Sequence, residues 1–195
     1  MATAQQISYM TEEEYLAQEK QASVKHEYID GQVYAMAGAK ASHNRIVGNF
    51  YRKVGNYLEH KPCQPYVSDM QVKVGSKYFY PDVLVDCSNL SDESTFTETP
   101  ILIIEVLSKS TRRTDETTKR MAYMQIETLL EYVLIEQDFV KVEVMRKNQH
   151  WQSFKYYLGD EIHFESIDLC LKVEEIYERV QNTDMLEWLA NKEKA

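Results

Sequence analysis

The sequence contains few of the residues that mark specialised classes of protein. Its 195 residues include only 3 cysteines, 4 prolines and 6 glycines. With 44% hydrophobic and 27% charged residues, the composition is that of a folded globular protein, not of a disordered or collagen-like chain. A chain of this length buries roughly 70% of the surface exposed by its unfolded state. We therefore expect a single domain over residues 1–195, with no crosslink needed for folding.

The cysteines are too few and too scattered for a metal or disulfide framework. Cys63, Cys87 and Cys170 are an odd number and form no CxxC pair. Zinc and dithiol redox sites use closely spaced cysteines, and disulfide frameworks use even numbers of them. The sequence therefore predicts three free, buried thiols.

Long hydrophobic runs are also absent. No apolar stretch approaches the roughly 20 residues that span a bilayer. The N-terminal stretch MATAQQISYMTEEEYLAQEK lacks the basic start and apolar middle of a signal peptide. We expect a cytoplasmic protein that has no contact with a membrane.

Positive charge is scarce overall but locally concentrated. The formal net charge is −9, which argues against a protein that coats nucleic acid through a broad cationic face. A small basic patch on an acidic body remains compatible with contact to a few phosphates. The densest basic cluster contains Lys109, Arg112, Arg113, Lys119 and Arg120. A solvated helix face is the alternative explanation for such a cluster.

The first half of the chain alternates between helix and hairpin patterns. Thr11 and Glu14 fit a capping box, which predicts a helix over residues 11–20. Asp30-Gly31 between two β-prone runs predicts a hairpin over residues 25–37. Ser42 is the expected N-cap of a second helix that ends before Pro62, and residues 66–74 and 77–86 predict a second hairpin around Gly75-Ser76.

The second half predicts a sheet covered by helices. Residues 101–107 are apolar on both faces apart from Glu105, which is typical of a central strand. A polar loop, residues 87–100, precedes this strand, and a helix from about 110 or 111 to 126 follows it. The strand-like runs that come next are 131–136, 139–146, 150–157 and 162–164. An amphipathic helix, broken or continuous, then occupies about residues 173–192. The predicted fold is α/β.

Two carboxylates stand in the strand-like runs. Burying a lone Glu105 in an apolar strand is costly unless its charge is paired or bound to metal. Asp82 follows Pro81, and the chain between Asp82 and Glu105 is long enough to return alongside. Neighbouring carboxylates of this kind suit one Mg²⁺ ion. The alternatives are a buried Lys or Arg partner for Glu105 and a simple turn at Asp82.

The following helix places three polar residues on one face. Asp115, Lys119 and Tyr123 follow one another at intervals of four residues. An ordinary surface ion pair between Asp115 and Lys119 is the simpler explanation. The position of the helix directly after Glu105 favours a role beside the two carboxylates.

The order of these motifs resembles that of the Uma family, a branch of the PD-(D/E)XK nuclease superfamily. The early hairpin is similar to that family's first acidic motif, and His43 stands at the head of the second helix. The resemblance covers roughly residues 10–180; its other motifs are Pro81-Asp82, Glu105-Val106-Leu107-Ser108-Lys109-Ser110-Thr111, Asp115, Lys119, Tyr123 and Glu131-Tyr132.

This resemblance implies a restriction-endonuclease-like core: a mixed central β-sheet flanked by helices, with an N-terminal β-hairpin and a C-terminal helix to about residue 192. It implies that Asp82, Glu105 and Glu27 surround Mg²⁺ or Mn²⁺, with Tyr123, Asp115 and His43 in support. Lys109, Arg112 and Arg113 would contact phosphates. The implied reaction is metal-dependent hydrolysis of nucleic-acid phosphodiesters, most simply those of DNA.

One position departs from the superfamily pattern. The lysine expected two residues after Glu105 is replaced by Leu107. The resemblance implies that Lys119 supplies the ammonium from the following helix, with Lys109 as a second candidate. A catalytically inactive nucleic-acid-binding module on the same fold is the alternative function, and a homodimer is a third expectation.

Overall fold

The structure is a computed structural model that describes residues 9–192. The helices are α1 (Glu12–Glu19), α2 (Ala41–Leu58), α3 (Arg112–Thr114), α4 (Arg120–Tyr123), α5 (Val173–Ile176) and α6 (Thr183–Lys192). The strands are β1 (His26–Ile29), β2 (Gln32–Ala35), β3 (Gln64–Val67), β4 (Gln71–Val74), β5 (Lys77–Phe79), β6 (Val83–Asp86), β7 (Phe96–Thr97), β8 (Pro100–Leu107), β9 (Glu131–Glu136), β10 (Val142–Arg146), β11 (Ser153–Tyr156), β12 (Glu161–Phe164) and β13 (Leu169–Lys172).

These strands form mixed sheets. A six-stranded sheet has the order β11-β10-β9-β8-β6-β3, and a five-stranded sheet has the order β2-β1-β5-β4-β7. Strands β12 and β13 pair separately. In the larger sheet β8 runs parallel to β9 and antiparallel to β6. With helices packed on this sheet, the predicted α/β fold class is confirmed.

Strand β8 lies inside the larger sheet, and its side chains are buried on both faces of that sheet. Leu102, Ile104 and Val106 pack in one core cluster with residues of α2. Ile103 and Leu107 pack in a second cluster with Tyr123 of α4. Glu105 belongs to this second face by strand alternation. The chain thus places one carboxylate directly beneath the helical segment that follows β8.

The N-terminal elements follow the predicted local chemistry. Thr11 and Glu14 form both hydrogen bonds of the capping box at the start of α1. Strands β1 and β2 pair antiparallel around Asp30 and Gly31, whose φ angles of 48° and 90° suit a primed turn. The predicted hairpin is confirmed, and it brings Glu27 to the edge of the second core cluster.

Several predicted boundaries are wrong in informative ways. The N-cap of α2 is Lys40, not Ser42, and the Lys40 side chain forms no capping hydrogen bond. The expected strand 77–86 is interrupted at Tyr80-Pro81-Asp82, because proline cannot donate to a strand ladder. Its two parts, β5 and β6, belong to different sheets. Strands β3 and β4 also belong to different sheets. The predicted hairpin is therefore present only as the antiparallel pair of β4 and β5.

Other differences lie in the loop and helical regions. The predicted loop 87–100 contains β7, which pairs parallel with β4. The predicted helix after β8 is α3 and α4 joined by a π-helical turn, Asp115–Lys119. Strand β13 was not predicted, and the C-terminal helix is broken into α5 and α6. None of the helices within residues 9–192 is long and apolar enough to cross a membrane.

The prediction of three free thiols is wrong. Cys63 and Cys87 form a disulfide, and Cys170 is a free, exposed cysteine. The cause is strand register: Gln64 lies opposite Asp86 in the β3–β6 ladder, so the preceding and following cysteines also meet. The odd number of cysteines and their spacing in the sequence do not reveal such a pair. Disulfides are rare in reducing compartments, so cytoplasmic localisation stays a prediction.

We expect the Cys63–Cys87 disulfide to stabilise the fold. It closes a sequence separation of 24 residues, for which loop-closure entropy gives about 3 kcal/mol. Urea unfolding of oxidised protein should therefore give a free energy of unfolding higher by about that amount than unfolding in reductant. Cys170→Ser serves as the control and should leave this difference intact. Equal stability in both redox states would contradict the prediction.

Candidate active site

Two strands of the larger sheet bring Asp82 and Glu105 together. Val83 pairs with Ile104 across the antiparallel β6–β8 ladder. Asp82 directly precedes Val83 and Glu105 directly follows Ile104, so the antiparallel register places these two residues side by side. Asp82 Oδ2 accepts a 2.7 Å hydrogen bond from the Val106 backbone N–H. Asp82 thus stands between Pro81 and the first residue of β6, and its carboxylate is fixed against β8.

Lys119 is buried among three carboxylates from three elements. Its Nζ lies 2.8 Å from Glu27 Oε1, 3.1 Å from Glu105 Oε1 and 3.2 Å from Asp115 Oδ1. The Lys119 side chain is only 4% exposed. The ammonium therefore joins the hairpin, the central strand and the helical segment at one point.

The shape of the helical segment places these groups. Asp115 and Lys119 are the first and last residues of the π-helical turn, a feature often found at functional sites. Tyr132 of β9 donates a 3.0 Å hydrogen bond to the Asp115 carbonyl. Tyr123 of α4 donates a 3.1 Å hydrogen bond to Glu105 Oε1. Both tyrosines are fully buried and meet edge to face, so the turn has firm packing behind it.

His43 approaches the site from the first turn of α2. Its Nε2 lies 3.2 Å from Asp82 Oδ2. Burial alone would lower the pKa of His43, but the hydrogen bond to Asp82 and its charge raise that pKa overall. His43 contacts the same oxygen of Asp82 that accepts from the Val106 N–H, and these two contacts fix the orientation of the carboxylate.

The charges of the cluster do not balance. Burial raises the pKa of Glu105 well above its usual value, and nearby Asp115 and Asp82 add to that rise, opposed by Lys119. Burial likewise raises the pKa of Asp115. Burial would lower the pKa of Lys119, but Glu105, Glu27 and Asp115 together raise it well above its usual value. One ammonium thus faces several carboxyl groups whose charged forms are disfavoured, and a bound cation would favour those charged forms.

These groups border an open cleft with a volume of about 610 Å³. Asp82, Glu105, Asp115 and Lys119 lie on its wall. The first turn of α2 and the loop after β8 line other parts of the same cleft. The site is therefore reachable from solvent although its charged side chains are largely buried.

The predicted phosphate contacts are placed differently from one another. Lys109 lines the cleft and is exposed. Arg112 instead forms a two-pronged ion pair with the buried carboxylate of Glu136. Arg113 is exposed and does not line the cleft. Of the three, only Lys109 lies beside the carboxylates.

Two residues of the site were not singled out in the sequence. Gln137 follows β9 and lines the cleft, although only 4% of it is exposed. Tyr132 supports the π turn. Gln137 had no sequence signal beyond its place at the end of a strand, and Tyr132 belonged to the recognised Glu131-Tyr132 pair with no role assigned.

The free oxygens of Asp82 and Glu105 fit a hard divalent cation. Asp82 Oδ2 and Glu105 Oε1 carry the contacts described above, whereas Asp82 Oδ1 and Glu105 Oε2 accept no hydrogen bond from residues 9–192. Mg²⁺ needs only one or two carboxylates when waters and a substrate phosphate complete its shell. Over the same described residues, no group of three or more His, Cys, Asp or Glu side chains is arranged to hold a metal. The donor set thus suits a weakly held Mg²⁺.

The sequence of this chain matches a known family. A family model described as Uma2, "Putative restriction endonuclease", matches residues 12–174. The chain therefore belongs to the Uma2 family. This confirms the resemblance drawn from the Pro81-Asp82, Glu105 and Lys119 motifs.

Relatives in a cyanobacterium share most of the chain. The uncharacterized protein slr1290 of Synechocystis sp. is 34% identical over 173 residues, covering 86% of this chain and 91% of that protein. The uncharacterized protein sll1609 of the same organism is 37% identical over 147 residues, covering 71% and 81%. Neither name states an activity.

A solved structure shares the fold. It is the crystal structure of "a putative nuclease belonging to DUF820" from Anabaena variabilis ATCC 29413. The TM-score is 0.72 at 17% identity, with 88% of this chain and 99% of that chain covered. At this identity the likeness shows the fold, and the chemistry has to be argued from the residues.

Removing the buried ammonium should be costly. Lys119→Met leaves three carboxylates with no cation between them, a change that costs roughly 3–5 kcal/mol for a buried ion pair. Urea unfolding in metal-free buffer at neutral pH measures the loss. Lys53→Met is the matched control, because Lys53 pairs with Glu175 at a partly exposed position and should lose less than about 1 kcal/mol. Similar losses for the two variants would contradict the buried cluster.

The raised pKa of Glu105 predicts how stability depends on pH. The folded state holds this proton at pH values where the unfolded state has lost it, so the free energy of unfolding falls as pH rises above about 4.5. One such group contributes a slope of at most about 1.36 kcal/mol per pH unit. Glu105→Gln retains an acceptor for Lys119 and Tyr123 and should remove this part of the slope.

Metal-free urea unfolding of wild type and variant across about pH 5 to 8 checks this. The stability of wild type relative to Glu105→Gln should decrease as pH rises. Glu161→Gln changes an exposed carboxylate, and its difference from wild type should stay flat. A wild-type advantage that grows with pH would show that Glu105 has a lowered pKa instead.

Proposed function

We propose that this protein is a divalent-metal-dependent endonuclease that hydrolyses phosphodiester bonds of DNA. The observation that carries the proposal is the meeting of Asp82 and Glu105 in one cleft, each with a carboxylate oxygen that accepts no hydrogen bond from residues 9–192. The shortage of cations around Glu27, Glu105 and Asp115 supports it, because within residues 9–192 only Lys119 pairs with these three carboxyl groups and a divalent cation would favour their charged forms. Membership of a family described as "Putative restriction endonuclease" supports the same reaction class.

Asp82 and Glu105 would hold Mg²⁺ or Mn²⁺ in this proposal. When bound, such an ion polarises a phosphoryl oxygen and lowers the pKa of an attacking water. The chain fixes both carboxylates before substrate arrives. The Val106 N–H and His43 orient Asp82, and Lys119 and Tyr123 orient Glu105. The other oxygen of each residue would then bind the ion.

Lys119 would take the role of the lysine that β8 lacks at Leu107. Its ammonium lies on the wall of the cleft beside Glu105. A fixed positive charge at this point stabilises negative charge that develops on the phosphoryl oxygens in the transition state. Glu27 accepts hydrogen bonds from the Tyr80 N–H and from Lys119 through one oxygen, Oε1. The other oxygen of Glu27 would hold a metal-bound water or a second ion.

The proposal predicts loss of cleavage in two near-isosteric variants. Asp82→Asn and Glu105→Gln each remove one ligand charge, and each should slow metal-dependent cleavage by at least about 10³-fold, equivalent to about 4 kcal/mol. The assay follows supercoiled plasmid, single-stranded DNA and RNA with Mg²⁺ or Mn²⁺. Circular dichroism confirms that the variants fold, and Glu161→Gln should cleave at the wild-type rate. Full activity in both ligand variants would reject this site, and cleavage of RNA alone would reject DNA as substrate.

A non-catalytic nucleic-acid-binding module is the second candidate. Two observations favour it: Leu107 replaces the strand lysine, and no three-ligand metal group occurs within residues 9–192. Calorimetry with Mn²⁺ separates the two functions. Binding heat that disappears in Asp82→Asn supports the nuclease, whereas no heat at millimolar Mn²⁺ supports the module.

A further inference from the structure

The N-terminus of α2 opens into the same cleft as the carboxylates. Lys40, His43 and Asn44 line the cleft at the start of this 18-residue helix. The first backbone N–H groups of a helix lack intrahelical partners and carry partial positive charge. The side chain of the N-cap residue, Lys40, forms no capping hydrogen bond here, and the first turn contains no acidic residue. This helix end is electrostatically suited to an anion.

A buried amide beside this helix end provides a second, independent observation. Gln137 lines the cleft, and only 4% of its surface is exposed. Its Oε1 lies 3.5 Å from the hydroxyl of Ser42 in the first turn of α2. Its Nε2 donates to no acceptor within residues 9–192. This amide N–H is therefore available to donate a hydrogen bond to an oxygen bound in the cleft.

The lysines at the rim have no competing partner within the described part of the chain. Lys40 and Lys109 both line the cleft and are exposed, and neither forms an ion pair with a carboxylate of residues 9–192. The carboxylates Asp82, Glu105 and Asp115 lie on the same cleft wall as Lys119. The cleft therefore has a carboxylate-rich part suited to a cation and a donor-rich part suited to an anion.

We infer that the first turn of α2, together with Gln137, Lys40 and Lys109, binds a backbone phosphate of a nucleic-acid strand next to the phosphate that is cleaved. The inference rests on the proposed function, since the neighbouring phosphate defines the register of the strand at Asp82 and Glu105. Helix N-termini, amides and lysines contact phosphate oxygens without reading base identity. This subsite positions the strand and leaves sequence preference to other contacts.

Two variants test the subsite by adding a negative charge to it. Ser42→Asp places a carboxylate at the helix N-terminus, where it favours the helix dipole, so thermal stability should be kept or increased while an anion is excluded. Gln137→Glu replaces the buried amide by a carboxylate of the same shape. Each should raise the Kd of a fluorescent single-stranded oligodeoxynucleotide by about tenfold or more, equivalent to about 1.4 kcal/mol.

Binding is measured by fluorescence anisotropy with Ca²⁺ present, and electrophoresis verifies that the oligonucleotide stays intact. Gln181→Glu is the matched control, because it adds the same charge at an exposed position outside the cleft; its Kd should stay within about twofold of wild type. An oligonucleotide with uncharged methylphosphonate linkages should bind weakly and respond little to Ser42→Asp. Ser42→Asp decides the test if Gln137→Glu does not fold.

The outcomes separate this subsite from the proposed function. Wild-type affinity in Ser42→Asp, with folding preserved, overturns the subsite even if Asp82→Asn abolishes cleavage. Weakened binding in Ser42→Asp and Gln137→Glu supports the subsite even if the wild type cleaves nothing, and then only the nuclease proposal fails. An equal loss of oligonucleotide affinity in Gln181→Glu would also overturn the subsite, because general repulsion between the added negative charge and the DNA would then explain the weaker binding.

Discussion

The ion cluster around Lys119 is the interaction on which the arrangement of the site depends. It joins Glu27 of the hairpin, Glu105 of the central strand and Asp115 of the helical segment through one buried ammonium. These elements lie far apart in the sequence, and each supplies a carboxylate that is costly to bury alone. The cluster satisfies each of them only in part, because one ammonium faces three carboxyl groups. In the proposed function, a bound divalent cation would make up for this shortage of positive charge.

Local sequence chemistry predicted much of the fold. The capping box at Thr11, the Asp30-Gly31 turn and the apolar run around Glu105 act through short-range geometry, and all three appear as expected. The carboxylates and Lys119 were also named from sequence, because charged residues in apolar or helical contexts are conspicuous. What these signals share is that a window of a few residues contains the whole physical cause.

The features that were missed depend on contacts between distant residues. The Cys63–Cys87 disulfide follows from the register of β3 with β6, which no cysteine spacing reveals. The π turn is held in place by Tyr132 from another strand, so its sequence reads as ordinary helix. Arg112 looked available for phosphate, yet Glu136, buried at the end of β9, takes its guanidinium. The proposed role of Gln137 depends on its position beside the first turn of α2, which the sequence does not reveal.

The position of His43 connects the two parts of the cleft. Its backbone belongs to the donor-rich first turn of α2, and its ring contacts Asp82. A shift of this helix end would therefore move both the proposed phosphate contact and one carboxylate oxygen of the candidate metal site. Packing opposes such a shift, because Ile46 and Phe50 anchor the following turns in the main core. The core thus fixes the spacing between the proposed phosphate contact and the candidate metal site, and in the proposed function that spacing would set which phosphate of a bound strand lies at Asp82.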